Sequence, residues 1–130
     1  MGRSFIESHQ ELKVYQTALD AAMRVFETSR EFPQEERGLL VQQVVKSSRS
    51  VCANLAEAWR KRRYRAAFIA KLNDAEAEAA ESQTWIEFAV MCGYLDSETG
   101  QELYQNYNDI LTGIERLISN ADAWVIRTTD

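Results

Sequence analysis

The chain is poor in residues that interrupt helices. Its 130 residues include one proline and five glycines, the two residue types that are least favourable inside a helix. No valine- or threonine-rich stretch alternates with polar residues between turn signals, as half-buried strands do. These absences predict long helices and no β-sheet.

Long apolar runs are also missing. No stretch approaches the roughly 18 apolar residues that a membrane-spanning helix requires. The first ten residues, MGRSFIESHQ, have no apolar core of an export signal. We therefore expect a cytoplasmic protein with no membrane partner. In that reducing compartment Cys52 and Cys92, both on predicted apolar helix faces, should be buried thiols and not a disulfide.

The scarcity of histidine excludes enzyme classes that a helical fold can support. The one histidine, His9, precedes the first predicted helix, whereas a di-iron site needs Glu-x-x-His motifs from two helices. The chain has no metal-spaced cysteine pair, no glycine-rich phosphate loop, and no serine or cysteine with a histidine base. We expect no enzymatic activity, no cofactor, no metal and no small-molecule substrate. Four acidic residues of the third helix then form a solvated face or a subunit contact: Asp74, Glu76, Glu78 and Glu81.

Helical periodicity is what the chain does contain. Four segments, about 11–30, 34–60, 64–91 and 97–124, carry apolar residues at alternating steps of three and four, which mark one face of a helix. Connections of only a few residues separate the segments, and short connections make neighbouring helices antiparallel. The predicted fold is all-α: residues 1–130 form one domain, an antiparallel up-down-up-down four-helix bundle.

The apolar stripes predict the core. The first helix contributes Leu12, Tyr15, Leu19, Ala22, Phe26 and Ser29, and its face is widened by Val14, Ala18, Ala21 and Val25. The third contributes Phe68, Leu72, Ala75, Ala79, Ser82, Ile86 and Ala89. The second helix has two adjacent stripes, so we expect it to be buried over much of its girth. Gly93 should end the third helix in a left-handed conformation, and Asp96 or Ser97 should cap the fourth.

Charge is unevenly distributed along the chain. Residues 1–73 carry 13 Lys and Arg against 8 Asp and Glu, and residues 74–130 carry 2 against 12, for a net charge of −5. Five cations cluster at the second turn: Arg60, Lys61, Arg62, Arg63 and Arg65. The dipole at the end of a helix accounts for two of them at most. In an antiparallel bundle the opposite end is acidic, with Glu31, Glu35, Glu36, Asp96 and Glu98.

Several motifs recur in order along most of the chain. They are LKVYQTA from Leu12, FPQEERGL from Phe32, SVCANLAEA from Ser50, then Phe68, Ile69 and Glu78, and CGYL from Cys92. Together they resemble the 23S ribosomal RNA intervening-sequence protein family, whose most specific positions correspond to Ser50, Asn54 and Glu57. Ala58 departs from the family pattern, which usually has glycine there.

The resemblance implies a compact four-helix bundle that forms rings, commonly homopentamers, in a family without an established enzymatic activity. A distant class of relatives assists retroelement reverse transcription and binds nucleic acid. The partners that the resemblance implies are therefore further copies of the chain, expected as a homo-oligomer and most simply a pentamer, and RNA or DNA.

Asn54 and Glu57 lie three residues apart on roughly one side of the second helix. One interpretation is a recognition or catalytic pair. The other is a framework role, in which a buried Asn54 fixes register or assembly. An unpaired buried amide costs about 1–3 kcal/mol, so the framework role requires a partner. Asn73, or a backbone carbonyl between Ile69 and Asn73, is the expected one.

The basic run at the second turn also has two interpretations. In a ring of parallel subunits, Arg60, Lys61, Arg62, Arg63 and Arg65 would form a rim that holds phosphate backbone without sequence specificity. Tyr64 and Trp59 would stack on unpaired bases. Alternatively, the run is a solvated turn that meets acidic protein surfaces in an oligomeric interaction scaffold without nucleic acid. The acidity of the whole chain counts against a dedicated nucleic-acid binder.

Overall fold

The computed structural model describes residues 6–126, and the chain is all-α across them, without a strand. Its four long helices are α1, Lys13–Ser29; α2, Gln42–Arg60; α3, Arg65–Met91; and α4, Ser97–Ser119. A short helix, α5, covers Ala121–Trp124, so the predicted range 97–124 is divided at Asn120. Over the same described residues, no helix combines the length and the apolar character that crossing a membrane would take.

The chain enters α2 through two turns that the sequence does not predict. Gln34–Glu36 forms a 3-10 turn and Arg37–Val41 a π-helical turn. The Glu36 carboxylate stabilises this segment, because it accepts the N–H of Leu40 at 3.3 Å and the hydroxyl of Tyr94 at 2.8 Å. The bond to Glu36 raises the pKa of Tyr94 to about 12. Glu36 thereby fastens the start of α2 to the loop between α3 and α4.

The predicted core is confirmed on α3 and, except for Leu19, agrees with the burial on α1. Every residue of the predicted α3 stripe is buried. In the predicted stripe of the first helix, Leu12, Ala22 and Ser29 are buried, whereas Leu19 is 44% exposed. Ala18, Ala21 and Val25, which widen the stripe, are buried as predicted. The alanines among these residues let α1 lie close to its neighbours. Leu19 points outward, on the same exposed face of α1 as Met23.

Each of the four long helices packs against two of the others. α2 packs against α3, α3 against α4, and α1 against both α2 and α4. Between α2 and α3, the buried hydroxyls of Ser47 and Ser82 are 2.8 Å apart. Nearer the turn that joins α2 to α3, Lys71 Nζ lies 2.9 Å from a carboxylate oxygen of Glu57.

The loop between α3 and α4 follows the predicted capping. Gly93 has φ of 79°, the left-handed conformation that glycine adopts most easily. The N–H of Tyr94 donates to the Ala89 carbonyl at 2.9 Å and so closes the end of α3. Asp96 accepts the N–H of Thr99 at 3.4 Å, and this bonding lowers the pKa of Asp96. The predictions for Gly93 and Asp96 are confirmed.

The two cysteines have different surroundings. Cys52 is buried, as predicted, and burial raises the pKa of its thiol to about 11. Cys92 is exposed, and the prediction for it is wrong. It lies just beyond the last turn of α3, where the helical pattern no longer decides which way a side chain points. Both are free thiols.

Candidate nucleic-acid interface

Arg62 fixes the turn between α2 and α3. Its guanidinium carbon lies 3.5 Å from the centroid of the Trp59 ring, and its Nε donates to the Trp59 carbonyl at 2.9 Å. Nη1 donates to the Trp124 carbonyl at 3.4 Å, and the Arg62 carbonyl accepts the N–H of Ile126 at 2.9 Å. Burial, together with the charge of Arg60, lowers the pKa of Arg62. Arg62 therefore belongs to the framework of the turn and is a poor candidate for phosphate contact.

Two further members of the predicted interface are also engaged. Arg65 Nε lies 2.7 Å from Asp122 Oδ1 and joins the start of α3 to α5. Both side chains of this pair are mostly exposed, so it adds little stability, but Asp122 offsets the charge of Arg65. Trp59 is buried, and its ring packs against that of Trp124 with centroids 5.9 Å apart. The prediction that Trp59 stacks on bases is therefore wrong.

Three cations of the turn remain available. Arg60, Lys61 and Arg63 are exposed, and none forms an ion pair within the described part of the chain. Tyr64 follows them and is 67% exposed. Unpaired cations beside an open aromatic ring can neutralise phosphates and stack on a base. We call residues 60–65 the basic turn.

The family positions of α2 meet at a lysine that the sequence did not single out. Asn54 Nδ2 donates to the Ser50 carbonyl at 3.0 Å and to its hydroxyl at 3.1 Å, and Asn54 Oδ1 accepts from Lys71 Nζ at 3.5 Å. Lys71 Nζ also pairs with Glu57 at 2.9 Å and Asp74 at 3.8 Å. The hydrogen bond between Lys71 and Glu57 raises the pKa of Lys71 and lowers the pKa of Glu57. A lysine held protonated is a poor nucleophile or base, so this cluster fits a link between helices.

The predicted surroundings of Asn54 need two corrections. Asn54 is half-buried and not buried. Its partner on α3 is Lys71, which lies inside the expected span from Ile69 to Asn73, whereas Asn73 is exposed. A long cationic side chain can reach Asn54 from several positions, so the packing of α2 on α3 decides the partner and the sequence pattern does not.

Glu78, the remaining family position, lies two turns further along α3. Burial raises its pKa, the charge of Glu81 adds to that effect, and Lys46 of α2 opposes it. The Glu78 carbonyl accepts the hydroxyl of Ser82 at 3.0 Å, beside the buried contact with Ser47. Among residues 6–126, no group of three or more His, Cys, Asp or Glu side chains is placed to hold a metal ion.

A basic groove between α1 and α2 is absent from the sequence-based candidates. Arg30, Arg37, Lys46 and Arg49 line it around Phe26. Part of the signal was present, because Lys46, Arg49 and Arg60 share one face of α2 by the helical period. The contributions of α1 and of the π-helical turn could not be read from the sequence, since only tertiary packing brings them to that face.

Comparisons with known proteins agree with this helical architecture. A family model described as 23S rRNA-intervening sequence protein matches residues 10–116. No curated protein matches the chain. Among solved structures, the chain is similar to the crystal structure, at 1.70 Å resolution, of a protein with unknown function from the S23 ribosomal protein family of Bacteroides thetaiotaomicron VPI-5482. The two are 27% identical, with a TM-score of 0.75, over 82% of this chain and 96% of that one.

Proposed function

The chain belongs to the 23S rRNA-intervening sequence protein family, and from that premise we propose that it is a non-enzymatic, oligomeric helical-bundle protein of the cytoplasm that associates with RNA or DNA as an accessory protein. The observation that carries the proposal is the basic turn, where Arg60, Lys61 and Arg63 lie unpaired among the described residues beside the exposed ring of Tyr64.

The basic turn suits phosphate backbone better than a specific base sequence. Its free cations are Arg60 and Lys61 at the end of α2, where the helix dipole also favours positive charge, and Arg63 in the loop before α3. Phosphate contacts position a strand without reading its sequence. Tyr64 adds a stacking surface that accepts any unpaired base. The proposed association is therefore salt-sensitive and tolerant of sequence.

The proposal takes the fold to be an antiparallel up-down-up-down four-helix bundle in a single domain. In its support, the contacts between α2 and α3 join Ser47 to Ser82 and Glu57 to Lys71. Residue number therefore rises along α2 as it falls along α3, which is what two antiparallel helices joined by a short turn require.

Assembly into a ring, most simply a pentamer, is the second part of the proposal. Two unlike apolar surfaces support it. Leu19 and Met23 of α1 form the α1 patch, and Met91 of α3 and Tyr104 of α4, which line one groove, form the α3–α4 patch. The α3–α4 patch borders an apolar groove of ≈ 330 Å³. When two different surfaces of one chain meet each other, the contact repeats head to tail and can close as a ring.

A second candidate function is an oligomeric interaction scaffold with protein partners and no nucleic acid. The 12 acidic residues of residues 74–130 favour it, because they give the molecule a net charge of −5 that repels polyanions. In that case the basic turn meets an acidic protein surface.

The test is fluorescence anisotropy of a labelled single-stranded RNA, titrated with the full chain at several salt concentrations. We expect binding that weakens steeply as salt rises. The triple variant Arg60→Gln, Lys61→Gln, Arg63→Gln should lower the slope of log K against log[salt] by about 2, because each single-strand phosphate contact contributes about 0.7. Arg62 stays unchanged, since its loss would unfasten the turn.

Arg116→Gln is the matched control, because Arg116 is an exposed α4 arginine without an ion pair among the described residues. It should leave the slope as it is. The absence of binding at low salt would reject nucleic-acid association and leave the scaffold. Equal slopes for the triple variant and the unmodified chain would remove the basic turn from the proposal.

A further inference from the structure

The basic groove is a second concentration of positive charge, at the end of α2 away from the basic turn. It is open, has a volume of ≈ 620 Å³, and its described lining includes four cations and no acidic residue. Arg30, Arg37, Lys46 and Arg49 are all exposed. None of the four forms an ion pair among residues 6–126. Like charges gathered in one concave surface repel each other unless an anion lies between them.

Phe26 organises two of these cations. The guanidinium carbons of Arg30 and Arg49 lie 5.6 and 5.4 Å from the centroid of its ring, which is within cation–π distance. A guanidinium stacked on a ring keeps its N–H edge free, and that edge matches two oxygens of a phosphate. The ring therefore limits the conformations of both arginines while leaving their donors available.

One face of α2 connects the basic groove to the basic turn. Lys46, Arg49, Ala53, Ala56 and Arg60, the α2 stripe, follow the three-four spacing of one helix face. From Lys46 to Arg60 the stripe is about 21 Å long, at about 1.5 Å per residue. The alanines in its middle are not fully buried and are small enough for another chain to lie close to the helix.

Two carboxylates, Glu57 and Glu78, lie near the α2 stripe on the side of α3. Each is affected by a neighbouring lysine. Glu57 is paired with Lys71 at 2.9 Å. Glu78 has a raised pKa caused first by burial, and the charge of Lys46 acts against that shift. Lys46 is therefore partly compensated, and the three arginines of the groove carry most of its attraction for an anion.

We propose that the basic groove binds the phosphate backbone of a single-stranded nucleic acid that continues along the α2 stripe to the basic turn. This inference rests on the proposed function and specifies the path of the strand. The groove holds the backbone between its arginines, and Tyr64 stacks on a base at the far end. A single strand fits this arrangement because only an unpaired base can stack on Tyr64 while its backbone stays on the stripe.

The test compares salt slopes for groove variants, using a labelled single-stranded RNA and the same RNA annealed to its complement. The double variant Arg37→Gln, Arg49→Gln should lower the single-strand slope by about 1.4, for two lost phosphate contacts. Arg49→Lys keeps the charge but loses the planar donor edge, so it should weaken affinity while the slope stays near that of the unmodified chain. The annealed RNA should bind more weakly to every variant.

The matched control is again Arg116→Gln, and circular dichroism checks that each variant is folded. Suppose that the unmodified chain binds RNA, that the basic-turn triple variant lowers the salt slope and that the double variant leaves it unchanged. This result overturns the assignment of the strand to the groove and keeps the proposed function. No binding by the unmodified chain overturns both. A double variant that changes the sedimentation coefficient and not the salt slope assigns the groove to a contact between subunits and overturns the inference.

Discussion

At the scale of the residue, Tyr107 carries a polar group that the core leaves unsatisfied. Its side chain is fully buried, and its hydroxyl has no hydrogen-bond partner of ordinary geometry among residues 6–126. Burial raises the pKa of Tyr107, and the nearby hydroxyls of Ser82 and Ser48 only partly oppose that effect. Both serines donate elsewhere, Ser82 to the Glu78 carbonyl and Ser48 to the Val45 carbonyl.

Tyr107→Phe should therefore leave the free energy of unfolding unchanged or raise it by about 1 kcal/mol, because a buried hydroxyl without a partner costs about 1–3 kcal/mol. Urea denaturation followed by circular dichroism measures the change. Tyr104→Phe, on an exposed tyrosine of the same helix, is the control and should have no effect. A loss of more than about 1 kcal/mol in Tyr107→Phe would mean that the hydroxyl bonds to Ser48 or Ser82 after all.

Residue-scale prediction from the sequence succeeded for most core positions, with Leu19 and Cys92 as exceptions, and failed for polar partners. Helical period alone placed Leu72 and Ile86 in the core, because burial repeats with the turn of the helix. It could not assign Lys71 to Asn54 or Arg62 to Trp59. Those pairs form because long side chains extend to a partner once the helices have packed. Such contacts leave no periodic pattern in the sequence.

At the scale of the element, α4 is held close to its neighbours by two glycines. A Cβ on Gly100 would overlap the Val90 side chain of α3, and a Cβ on Gly113 would come within 2.8 Å of the Val14 side chain of α1. Valine has little freedom to rotate away. Both positions lie inside a helix, where glycine is otherwise unfavourable by about 1 kcal/mol relative to alanine, so close approach explains why they are tolerated.

Gly100→Ala should lower the free energy of unfolding by about 1–3 kcal/mol, since the cost of overpacking exceeds the gain in helix propensity. Gly38→Ala is the matched comparison, because a Cβ there meets nothing within 4 Å. It should raise stability by about 0.4–1 kcal/mol. Thermal and urea denaturation of both variants measure the difference. If Gly100→Ala raised the stability as Gly38→Ala does, helix propensity would outweigh packing at Gly100 of α4.

Helix bounds were predictable where local signals set them. Gly93 and Asp96 end α3 and begin α4 through bonds to residues within five positions. The π-helical turn Arg37–Val41 was not predictable, because Glu36 is held by Tyr94, 58 positions away. The division of the last predicted helix at Asn120 likewise carries no glycine or proline that would announce it.

At the scale of the whole molecule, the charged groups and the exposed apolar residues are each gathered in separate regions of the surface. The C-terminal segment meets the basic turn, where Ile126 bonds to Arg62. At the other end, Glu31 and Asp96 line one depression with Tyr94, whose hydroxyl bonds to Glu36. The basic groove also lies toward this end, so the sequence-based picture of one basic and one acidic end is incomplete. The α1 patch was not foreseen, because the predicted stripe buried Leu19.

A mixing experiment tests whether the α1 patch meets the α3–α4 patch of another copy. Met23→Asp and Met91→Asp should each prevent rings, because either change places a charge in the apolar contact. An equimolar mixture of the two should form heterodimers and nothing larger, since each pair retains one intact contact. Sedimentation velocity of the separate and mixed variants measures this.

The control for mixing is Leu39→Asp, which changes a residue that is 64% exposed and outside both patches. It should assemble as the unmodified chain does. Failure of the mixture to form heterodimers would indicate a contact between like surfaces, or a contact elsewhere, and would exclude the head-to-tail ring.

In the proposed association with nucleic acid, the negative charge of the whole molecule controls how a polyanion approaches it. A net charge of −5 repels RNA at long range, and the basic turn attracts it only within about one Debye length, roughly 8 Å at physiological salt. The proposed association therefore requires collisions in which the basic turn or the basic groove faces the RNA, and collisions in other orientations should be unproductive. Moderate salt screens the distant repulsion before it cancels the close attraction, so the rate of the proposed association should pass through a maximum as salt rises. If that maximum is observed, the carboxylates of the chain set how often an encounter with RNA is productive.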